Sequence, residues 1–478
     1  PDWNPAEIIG IRPKALALSL YKELVTDSIW AYQRSNYRYR NLRSFPLMVD
    51  FSGLPYVDVR VSFNSFIPAD LDPILSDKLV DYYIDRLLDS PSLHDKVEFD
   101  IVFSCYTFDL EERIKTIASH GFSNNQINEI VSSLKVITKY IFNSKKEVWQ
   151  KDVEKIEMLE HRRRELYDSN LSPIELVYWL IEDAKRYGSL PFAGLARAAF
   201  MAVQLLKSLV EIEILSEFDY DSFMLSVKTI SSELTKDRSE LNKEVFIKKY
   251  GHLRPGTYEI TSPRYDENPD LYFDWNASPN IPADKSSFQL TYIQMNSINK
   301  LLKNNNFDLN ANMLMDFIRD AIEKREWGKF HFTHNLSDAL AILKNYGANM
   351  GFNADDLSHC NFNIISEMYS SSIDHEEKIK RSITEGQSIY ENALKTSLPP
   401  LIKAPDDVWG FSLPEGIPNF ITQKTVSAPV TSIHEENKFE GTIVCVPNGD
   451  PGLDWLFSFP IAGLITAWGG VNSHMAIR

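Results

Sequence analysis

Apolar residues recur every three or four positions through most of the chain, a spacing that places them on one face of an α-helix. Residues 12–36 carry an approximate stripe of this kind, formed by Leu16, Leu20, Leu24 and Ile29. Pro13 suits the first turn of that helix, where the missing N–H of proline costs nothing. The helical spacing also dominates residues 111–249. The sequence therefore predicts a chain built mainly of helices.

Two of these helices differ in how much of their surface is apolar. Residues 145–167 are heavily charged, and their sparse apolar stripe consists of Trp149, Val153, Ile156 and Leu159. One face of this helix is therefore expected in water. Its basic run, residues 161–164, would suit a phosphate, but the neighbouring glutamates favour a solvated, ion-paired face. Residues 191–210 are far more apolar, and we predict a core helix there.

Strand patterns are fewer. Residues 45–51 and 56–61 are rich in β-forming side chains and flank a Gly/Pro turn, which predicts a hairpin or two adjacent strands. Residues 97–105 predict a further strand. Near the end of the chain, residues 441–446 predict a buried strand and residues 462–466 a second strand, with a Pro/Gly-rich turn between them.

The second strand of the predicted hairpin carries a polar face. Side chains alternate between the two faces of a strand, so Asp58, Arg60, Ser62 and Asn64 would share one face. An arginine and a carboxamide, Arg60 and Asn64, suit an amino-acid-like ligand. A face turned to solvent explains the same pattern and is slightly favoured.

A proline-rich stretch marks a boundary late in the chain. Residues 397–420 contain Pro399, Pro400, Pro405, Pro414 and Pro418. Prolines at this density stop helices and stiffen the chain, which is typical of a linker or of an extended segment strapped to a neighbour. Residues 397–420 are therefore predicted to be a linker between two domains.

Composition narrows the class of protein. A chain of 478 residues predicts more than one domain, and a formal net charge of −16 argues against a nucleic-acid binder. No apolar run reaches the roughly 20 residues that span a bilayer, and the first residues lack a signal-peptide pattern. Three scattered cysteines, Cys105, Cys360 and Cys445, form no metal or disulfide pattern and are expected to be free buried or half-buried thiols. We expect a cytoplasmic protein that binds neither nucleic acid nor membrane.

The most informative chemistry lies in residues 469–478. Gly469 and Gly470 follow a predicted strand and precede a predicted helix that begins near Ser473 and His474. Glycines let the backbone approach a ligand closely, and the N–H groups at a helix N-terminus bind anions. A neutral imidazole in this setting is a competent nucleophile whose phosphorylated form would be held by the same N–H groups. His474 is therefore the candidate carrier of a phosphoryl group.

Residues 443–478 resemble the phosphohistidine, or swivelling, domain of the phosphoenolpyruvate synthase and pyruvate phosphate dikinase family. The matching features are Asp454-Trp455, Ala462 to Thr466, and Gly469-Gly470-x-x-Ser473-His474-x-Ala476-Ile477. The resemblance implies that His474 takes phosphate from ATP, with Thr466 and Ser473 beside it. It also implies a mobile domain that swings between an ATP site and an acceptor site.

A second resemblance to the same family lies in residues 250–265. The string Tyr250-Gly251-His252-Leu253-Arg254-Pro255-Gly256 continues to Pro263-Arg264. Arg254 and Arg264 would suit a phosphate or carboxylate, and His252 would serve as an acid or base. In an equally weighted alternative the loop is structural, with its arginines paired to Glu259 or Asp266.

The opening residues resemble the last strand of an ATP-grasp domain, which uses Mg²⁺. The resemblance places Asp2 and Asn4 as metal ligands, and their oxygens are the kind that magnesium prefers. We expect the chain to be a piece of a longer protein in which residues 1–10 end a mostly missing ATP-grasp domain. Such a piece is not expected to turn over alone.

The order of these motifs indicates where the acceptor domain lies. Residues 11–396 would form an acceptor-substrate domain, as in rifampicin phosphotransferases, and residues 421–478 a truncated phosphohistidine domain. The whole series of motifs resembles phosphoenolpyruvate-synthase-like proteins of surface-polysaccharide gene clusters, closest to the L-glutamine kinases of capsular phosphoramidate biosynthesis. That resemblance implies a small-molecule acceptor, L-glutamine, and conversion of ATP to AMP and phosphate.

Alternatives remain open. A phosphoenolpyruvate synthase-like or rifampicin phosphotransferase-like enzyme would use pyruvate, an antibiotic hydroxyl or a sugar. A non-catalytic relative would keep the fold without turnover. The predicted fold class is α+β: a large, mainly helical middle domain with a small sheet, followed by a partial β/β/α swivelling phosphohistidine domain.

Overall fold

The computed structural model describes residues 6–94, 97–142, 148–273, 275, 288–411, 420–422, 424–433, 439–448 and 451–468. The protein is mostly helical with small sheets, which confirms the predicted α+β class in its general form. The helices of the first half are α1 Ala6–Ile9, α2 Ala15–Tyr21, α3 Ile29–Asn36, α4 Val59–Asn64, α5 Pro73–Asp89, α6 Leu110–Arg113, α7 Asn124–Ile141, α8 Val148–Asp168, α9 Pro173–Asp183 and α10 Leu190–Glu211.

The second half continues in the same way. Its helices are α11 Glu217–Ser226, α12 Ile230–Glu240, α13 Lys243–Tyr250, α14 Pro269–Tyr272, α15 Tyr292–Asn304, α16 Ala311–Ala348, α17 Ala354–Ser358, α18 Ile364–Ser370 and α19 His375–Lys395. The 38-residue α16 packs along α8, α9 and α10 and so forms the centre of the helical body. The predicted core helix at 191–210 is confirmed as α10.

The predicted single helix over residues 12–36 is wrong in its continuity. The chain forms α2, then a π-helical stretch at Lys22–Thr26, and then α3 after a turn. Lys14 occupies the N-cap position of α2, so Pro13 precedes the helix and does not lie in its first turn. The apolar stripe still faces inward, because Leu16, Leu20 and Leu24 are buried. Apolar spacing thus located the buried face without revealing the interruption.

The N-terminal hairpin is confirmed, but its second strand is shorter than predicted. Strand β1, Met48–Phe51, pairs antiparallel with β2, Leu54–Val57. Residues 58–64 are not a strand: the Asp58 carboxylate accepts the Val61 N–H at 3.1 Å and caps α4. This N-cap starts a helix despite the strand-like alternation, because local capping outweighs a weak β propensity.

The predicted strand at 97–105 is also wrong. Val97–Ile101 forms a π-helical turn, and the buried segment after it is irregular. Its backbone N–H groups are satisfied by side chains of surrounding helices: Phe103 by the Tyr83 hydroxyl at 3.1 Å, and Tyr106 by Thr138 Oγ1 at 2.8 Å. Side-chain acceptors thus replace the partner strand that a β-structure would need.

Both predicted C-terminal strands are confirmed. Strand β3, Val430–Ser432, pairs parallel with β4, Ile443–Asn448, which pairs parallel with β5, Gly463–Trp468. Cys445 on β4 is half-buried, whereas Cys105 and Cys360 are buried, and all three are free thiols, as expected. Burial raises the pKa of Cys105 to about 11. These thiols are therefore components of the packing.

The start of the proline-rich stretch follows the strapped alternative. The Tyr56 hydroxyl on β2 donates to the carbonyl of buried Pro399 at 2.7 Å. Leu398 and Ile402 pack against Leu54 and Tyr56. Residues 397–402 are therefore held against the hairpin, and residues 412–419 lie outside the described part.

One helical stretch among the described residues, 173–211, is long and apolar enough to cross a membrane by length and composition alone. It runs through α9 and α10, and 67% of its most apolar window is buried inside the fold. A core helix passes the same test, so the stretch is weak support for a membrane span.

Gly386 tests the packing of α19 against the rest of the body. A Cβ added there would lie 1.8 Å from the His359 carbonyl oxygen, so the backbone itself must move. We expect Gly386→Ala to lower the free energy of unfolding by about 3 kcal/mol, as overpacking does. A Cβ added at Gly410 would meet nothing within 4 Å, so Gly410→Ala should change the free energy of unfolding by less than about 1 kcal/mol. Urea titration measures both variants. Equal effects would contradict this packing.

Candidate functional site

The segment 250–273 is mounted on α16 through a tight turn after α13. The Asp266 N–H donates to the Gly251 carbonyl at 3.1 Å, and the Tyr265 N–H to the Leu253 carbonyl at 2.8 Å. A Cβ at Gly251 would lie 2.4 Å from the Ile247 carbonyl oxygen, so only glycine fits between α13 and this ladder. The turn carries His252 into the protein interior.

His252 lies against a second histidine. Its side chain is 3% exposed, and Nε2 lies 3.2 Å from the Phe330 carbonyl, which makes Nε2 the protonated nitrogen. The ring stacks on His334 of α16 with centroids 4.0 Å apart and planes 7° apart. Within the described part of the chain, Nδ1 of His252 is buried without a hydrogen-bond partner. The imidazole therefore presents an unused acceptor nitrogen.

Asp338, one turn after His334, connects three elements. Its carboxylate accepts Arg264 Nη1 at 2.7 Å and the Tyr167 hydroxyl of α8 at 2.9 Å. His334 Nε2 lies 3.7 Å from Oδ2, the oxygen that accepts the Tyr167 hydroxyl. The side chain of Asp338 is 9% exposed. A buried carboxylate with these partners fixes the positions of α8, α16 and the 250–273 segment relative to one another.

The two arginines predicted to bind phosphate are already engaged. Arg264 holds Asp266 with two hydrogen bonds, at 2.9 and 2.7 Å, in addition to Asp338. Arg254 donates to the Ser337 hydroxyl and carbonyl, each at 3.2 Å, and to the Glu259 carbonyl at 3.3 Å. Burial lowers the pKa of Arg254 to about 10. These contacts match the structural alternative, in which the arginines hold the loop.

The basic run on α8 divides between interior and solvent. His161 and Arg164 are exposed, as predicted, but Arg162 pairs with buried Asp183 at 2.9 Å. Arg163 donates to the fully buried Asn335 at 3.2 Å. The expected solvated, ion-paired face is therefore confirmed for His161 and Arg164 and wrong for Arg162 and Arg163, which lie on the inward side of the helix. Arg163 brings a positive charge beside His334.

We name His252, His331, His334, Arg163, Tyr167, Arg264 and Asp338 the histidine cluster. Burial lowers the pKa of His331 to about 4, and burial with Arg163 and Arg264 lowers that of His334 to about 3. Burial also lowers the pKa of His252 well below its ordinary value. All three imidazoles are consequently neutral at cellular pH and retain a free nitrogen lone pair.

The C-terminal sheet packs on the segment that carries this cluster. Val444, Val446 and Trp455 share one hydrophobic core with Tyr265 and Phe273. The rings of Tyr272 and Trp455 lie 5.6 Å apart. Leu464 of β5 packs against the same core, and Thr466, two residues on, shares its face of the strand. The strand that leads into Gly469 is therefore seated beside the 250–273 segment.

The other predicted site residues are elsewhere. Arg60 pairs with Asp81 at 2.9 Å and is 61% exposed, and Asn64 accepts from Arg40 and donates to the Arg60 carbonyl. Both lie on one face of α4, four residues apart, which matches the solvent-facing alternative.

The predicted metal ligands and carrier residues lie outside the described residues; they are Asp2, Asn4, Gly469, Gly470, Ser473 and His474. In the described ranges, no group of three or more His, Cys, Asp or Glu side chains is arranged to hold a metal ion.

The contribution of α16 to the candidate site was not predicted from the sequence. Its polar residues follow one helical face at positions i, i+3, i+4 and i+7: His331, His334, Asn335 and Asp338. In a helix that is otherwise apolar enough to be buried, this polar stripe is a recognisable signal for an interior site. The residues of this stripe lie about 80 positions after the motif in residues 250–265 that they contact.

The chain matches no family model and no curated protein. The resemblance to the phosphoenolpyruvate synthase family consequently stays a prediction that depends on the motifs themselves.

The neutral histidines predict a loss of stability in acid. The unfolded chain takes up protons near pH 6.5 while the folded cluster does not, so the stabilisation is complete above that pH and falls as pH falls toward 4. We expect His334→Asn to reduce the loss in free energy of unfolding between pH 8 and pH 5 by about 2 kcal/mol. The difference between the two proteins at pH 8 reports packing alone and serves as the control. An unchanged pH dependence in urea titrations would contradict a neutral His334.

Proposed function

We propose that this chain is part of an ATP-dependent phosphotransferase in which His474 carries a phosphoryl group to a small-molecule acceptor. Two strands of the predicted phosphohistidine domain, β4 and β5, pair in parallel, and β5 runs directly into Gly469. That arrangement supports a strand–glycine–helix cradle for His474. Mg²⁺, which assists transfer from ATP, would be held by Asp2 and Asn4.

The observation that carries the proposal is the packing of the C-terminal sheet on the 250–273 segment. The two motifs that resemble the same family, one ending at His474 and one containing His252, are about 200 residues apart in sequence. They nevertheless share a hydrophobic core through Tyr272 and Trp455. This proximity is what a carrier domain docked on its acceptor domain requires.

The reaction proceeds in three steps. His474 attacks ATP, which gives a pyrophosphoryl-histidine and AMP, and loss of phosphate to water leaves phosphohistidine. The acceptor nitrogen or oxygen then forms a bond to phosphorus while the histidine–phosphorus bond breaks and its electron pair returns to the ring. The proton released by the acceptor ends on the departing imidazole of His474, and we assign its relay to His252, whose Nδ1 has no partner in the described structure.

The acceptor we propose is the side-chain amide of L-glutamine, which would make the enzyme an L-glutamine kinase of capsular polysaccharide phosphoramidate synthesis. This choice depends on the resemblance of the whole motif series. Arg254 and Arg264 are occupied by loop contacts, so they would act by holding His252 in place.

An acceptor screen tests this function. Full-length protein with ATP and Mg²⁺ should release AMP fastest with L-glutamine, and more slowly with pyruvate, sugars or rifampicin. Faster AMP release with one of the other compounds would show that glutamine is not the acceptor, but it would still support a phosphotransferase. Absence of AMP release with every acceptor would favour a non-catalytic relative.

A further inference from the structure

Two arginines from neighbouring helices meet around one phenylalanine. Arg34 on α3 and Arg197 on α10 place their guanidinium carbons 4.9 and 5.8 Å from the centre of the Phe66 ring. Arg197 is 1% exposed and Phe66 is 4% exposed, whereas Arg34 is half-buried with its Nε inside the fold. Two like charges therefore lie close together at the edge of the interior, which is unfavourable unless anions accompany them.

The protein supplies only one anion to this pair. Arg197 forms an ion pair with Glu98 and donates to Ser104 Oγ at 3.2 Å. Arg34 donates to Gln33 Oε1 at 3.2 Å. Among the described residues it forms no ion pair of its own, and the carboxylate that acts on its charge is Glu98, the partner of Arg197. One positive charge consequently remains without a counter-ion.

Hydrogen-bond donors are also left over. In the described part of the chain, Nε of Arg34, Nε of Arg197 and Nε2 of Gln33 are buried without partners. Gln33 is 2% exposed, and its oxygen already faces Arg34. Native proteins leave few buried donors unpaired, so three in one cluster indicate a missing acceptor.

The neighbouring acceptors are committed to other contacts. Ser104 Oγ takes hydrogen bonds from Arg197 and from Gln204, and the Ser104 carbonyl takes the Tyr39 hydroxyl at 2.7 Å. Burial, followed by the charge of Arg197, lowers the pKa of Arg34 to about 10, which still leaves it charged at pH 7. The missing acceptor must therefore come from outside the described protein.

We propose that Arg34, Gln33 and Arg197 bind the carboxylate of a small molecule such as an amino acid, beside Phe66. A carboxylate offers the planar pair of oxygens that a guanidinium and an amide recognise together. Its single negative charge matches the single unpaired positive charge. A phosphate, which carries between one and two negative charges at pH 7, would overcompensate.

This carboxylate site is separate from the histidine cluster. Tyr37, one turn after Arg34, donates to Asp152 of α8 at 2.7 Å, whereas the histidine cluster meets α8 at Arg163. Eleven residues of helix separate Asp152 from Arg163, which is about 16 Å at 1.5 Å per residue. The site therefore does not rest on the proposed function and would hold a ligand distinct from the reacting acceptor.

Calorimetric titration of the full-length protein tests the site with acetate, glycine and inorganic phosphate at matched ionic strength. At least one carboxylate should bind, acetamide should not, and Arg34→Met should weaken the binding at least tenfold. Arg40→Met removes a neighbouring arginine that pairs with Asp77 and should leave the affinity unchanged.

The melting temperature without ligand separates a binding role from a structural one. Because Arg34→Met removes an unpaired charge, this variant should melt at or above the temperature of the unmodified protein. A large drop would make Arg34 structural and overturn the proposal. Failure of every carboxylate to bind, equal binding in Arg34→Met, or binding of phosphate alone would overturn it as well.

Discussion

Replacing His474 with asparagine should lower acceptor phosphorylation by at least about a thousandfold, the order of loss seen when a nucleophile is removed. Asparagine keeps a polar side chain of similar size at the helix start but cannot form the phosphorylated intermediate. Both AMP release and product formation should fall together, because the carrier takes part in each half of the reaction. The measurement is steady-state turnover of the full-length enzyme with ATP and L-glutamine.

His161→Asn is the matched control. His161 lies on the exposed face of α8, with a side chain that is 76% exposed, and its replacement should leave turnover within about twofold, in line with the small effects of exposed substitutions. Turnover that survives in His474→Asn would mean that ATP and the acceptor react without this carrier.

Asp338→Asn should produce a large loss of stability. The carboxylate is buried and holds both Arg264 and Tyr167, so neutralising it leaves a buried guanidinium partly uncompensated. Breaking a buried pair in this way costs about 3 kcal/mol. The free energy of unfolding, from urea titration at pH 7.5, measures the loss.

The same substitution on the surface is the control. Asp81 pairs with Arg60, and both side chains are about 60% exposed, so Asp81→Asn should change stability by less than about 1 kcal/mol. Equal losses at the two positions would show that Asp338 does not hold the cluster together. In the enzyme, Asp338→Asn should also slow acceptor phosphorylation more than histidine loading, since it displaces His334 and the 250–273 segment.

The helical body was predictable because its signal is periodic and local. Apolar spacing located α8 and α10 within a few residues, and the two C-terminal strands followed from continuous apolar runs between turn residues. The errors arose where a nearby interaction outweighed propensity: the Asp58 cap turned a β-rich run into α4, and side-chain acceptors let residues 102–107 stay irregular.

The candidate site was predictable only in part. Residues 250–264 carry a readable motif, but their partners on α8 and α16 come from positions far along the chain and depend on tertiary packing. The roles of Arg254 and Arg264 also depend on the folded structure, because an arginine that binds a ligand and an arginine that holds a loop look alike in the sequence. The free positive charge at Arg34 had no sequence signal, since it depends on which carboxylate is absent nearby.

The intact mass of the full-length protein after incubation with ATP and Mg²⁺, without an acceptor, tests directly whether His474 is phosphorylated. We expect an added phosphate that is lost in acid, is discharged by L-glutamine, and maps to the peptide containing His474. The added mass should be missing in His474→Asn. An unchanged mass in a protein that contains its complete ATP site, or an acid-stable phosphate on another residue, would contradict a phosphohistidine carrier at this position.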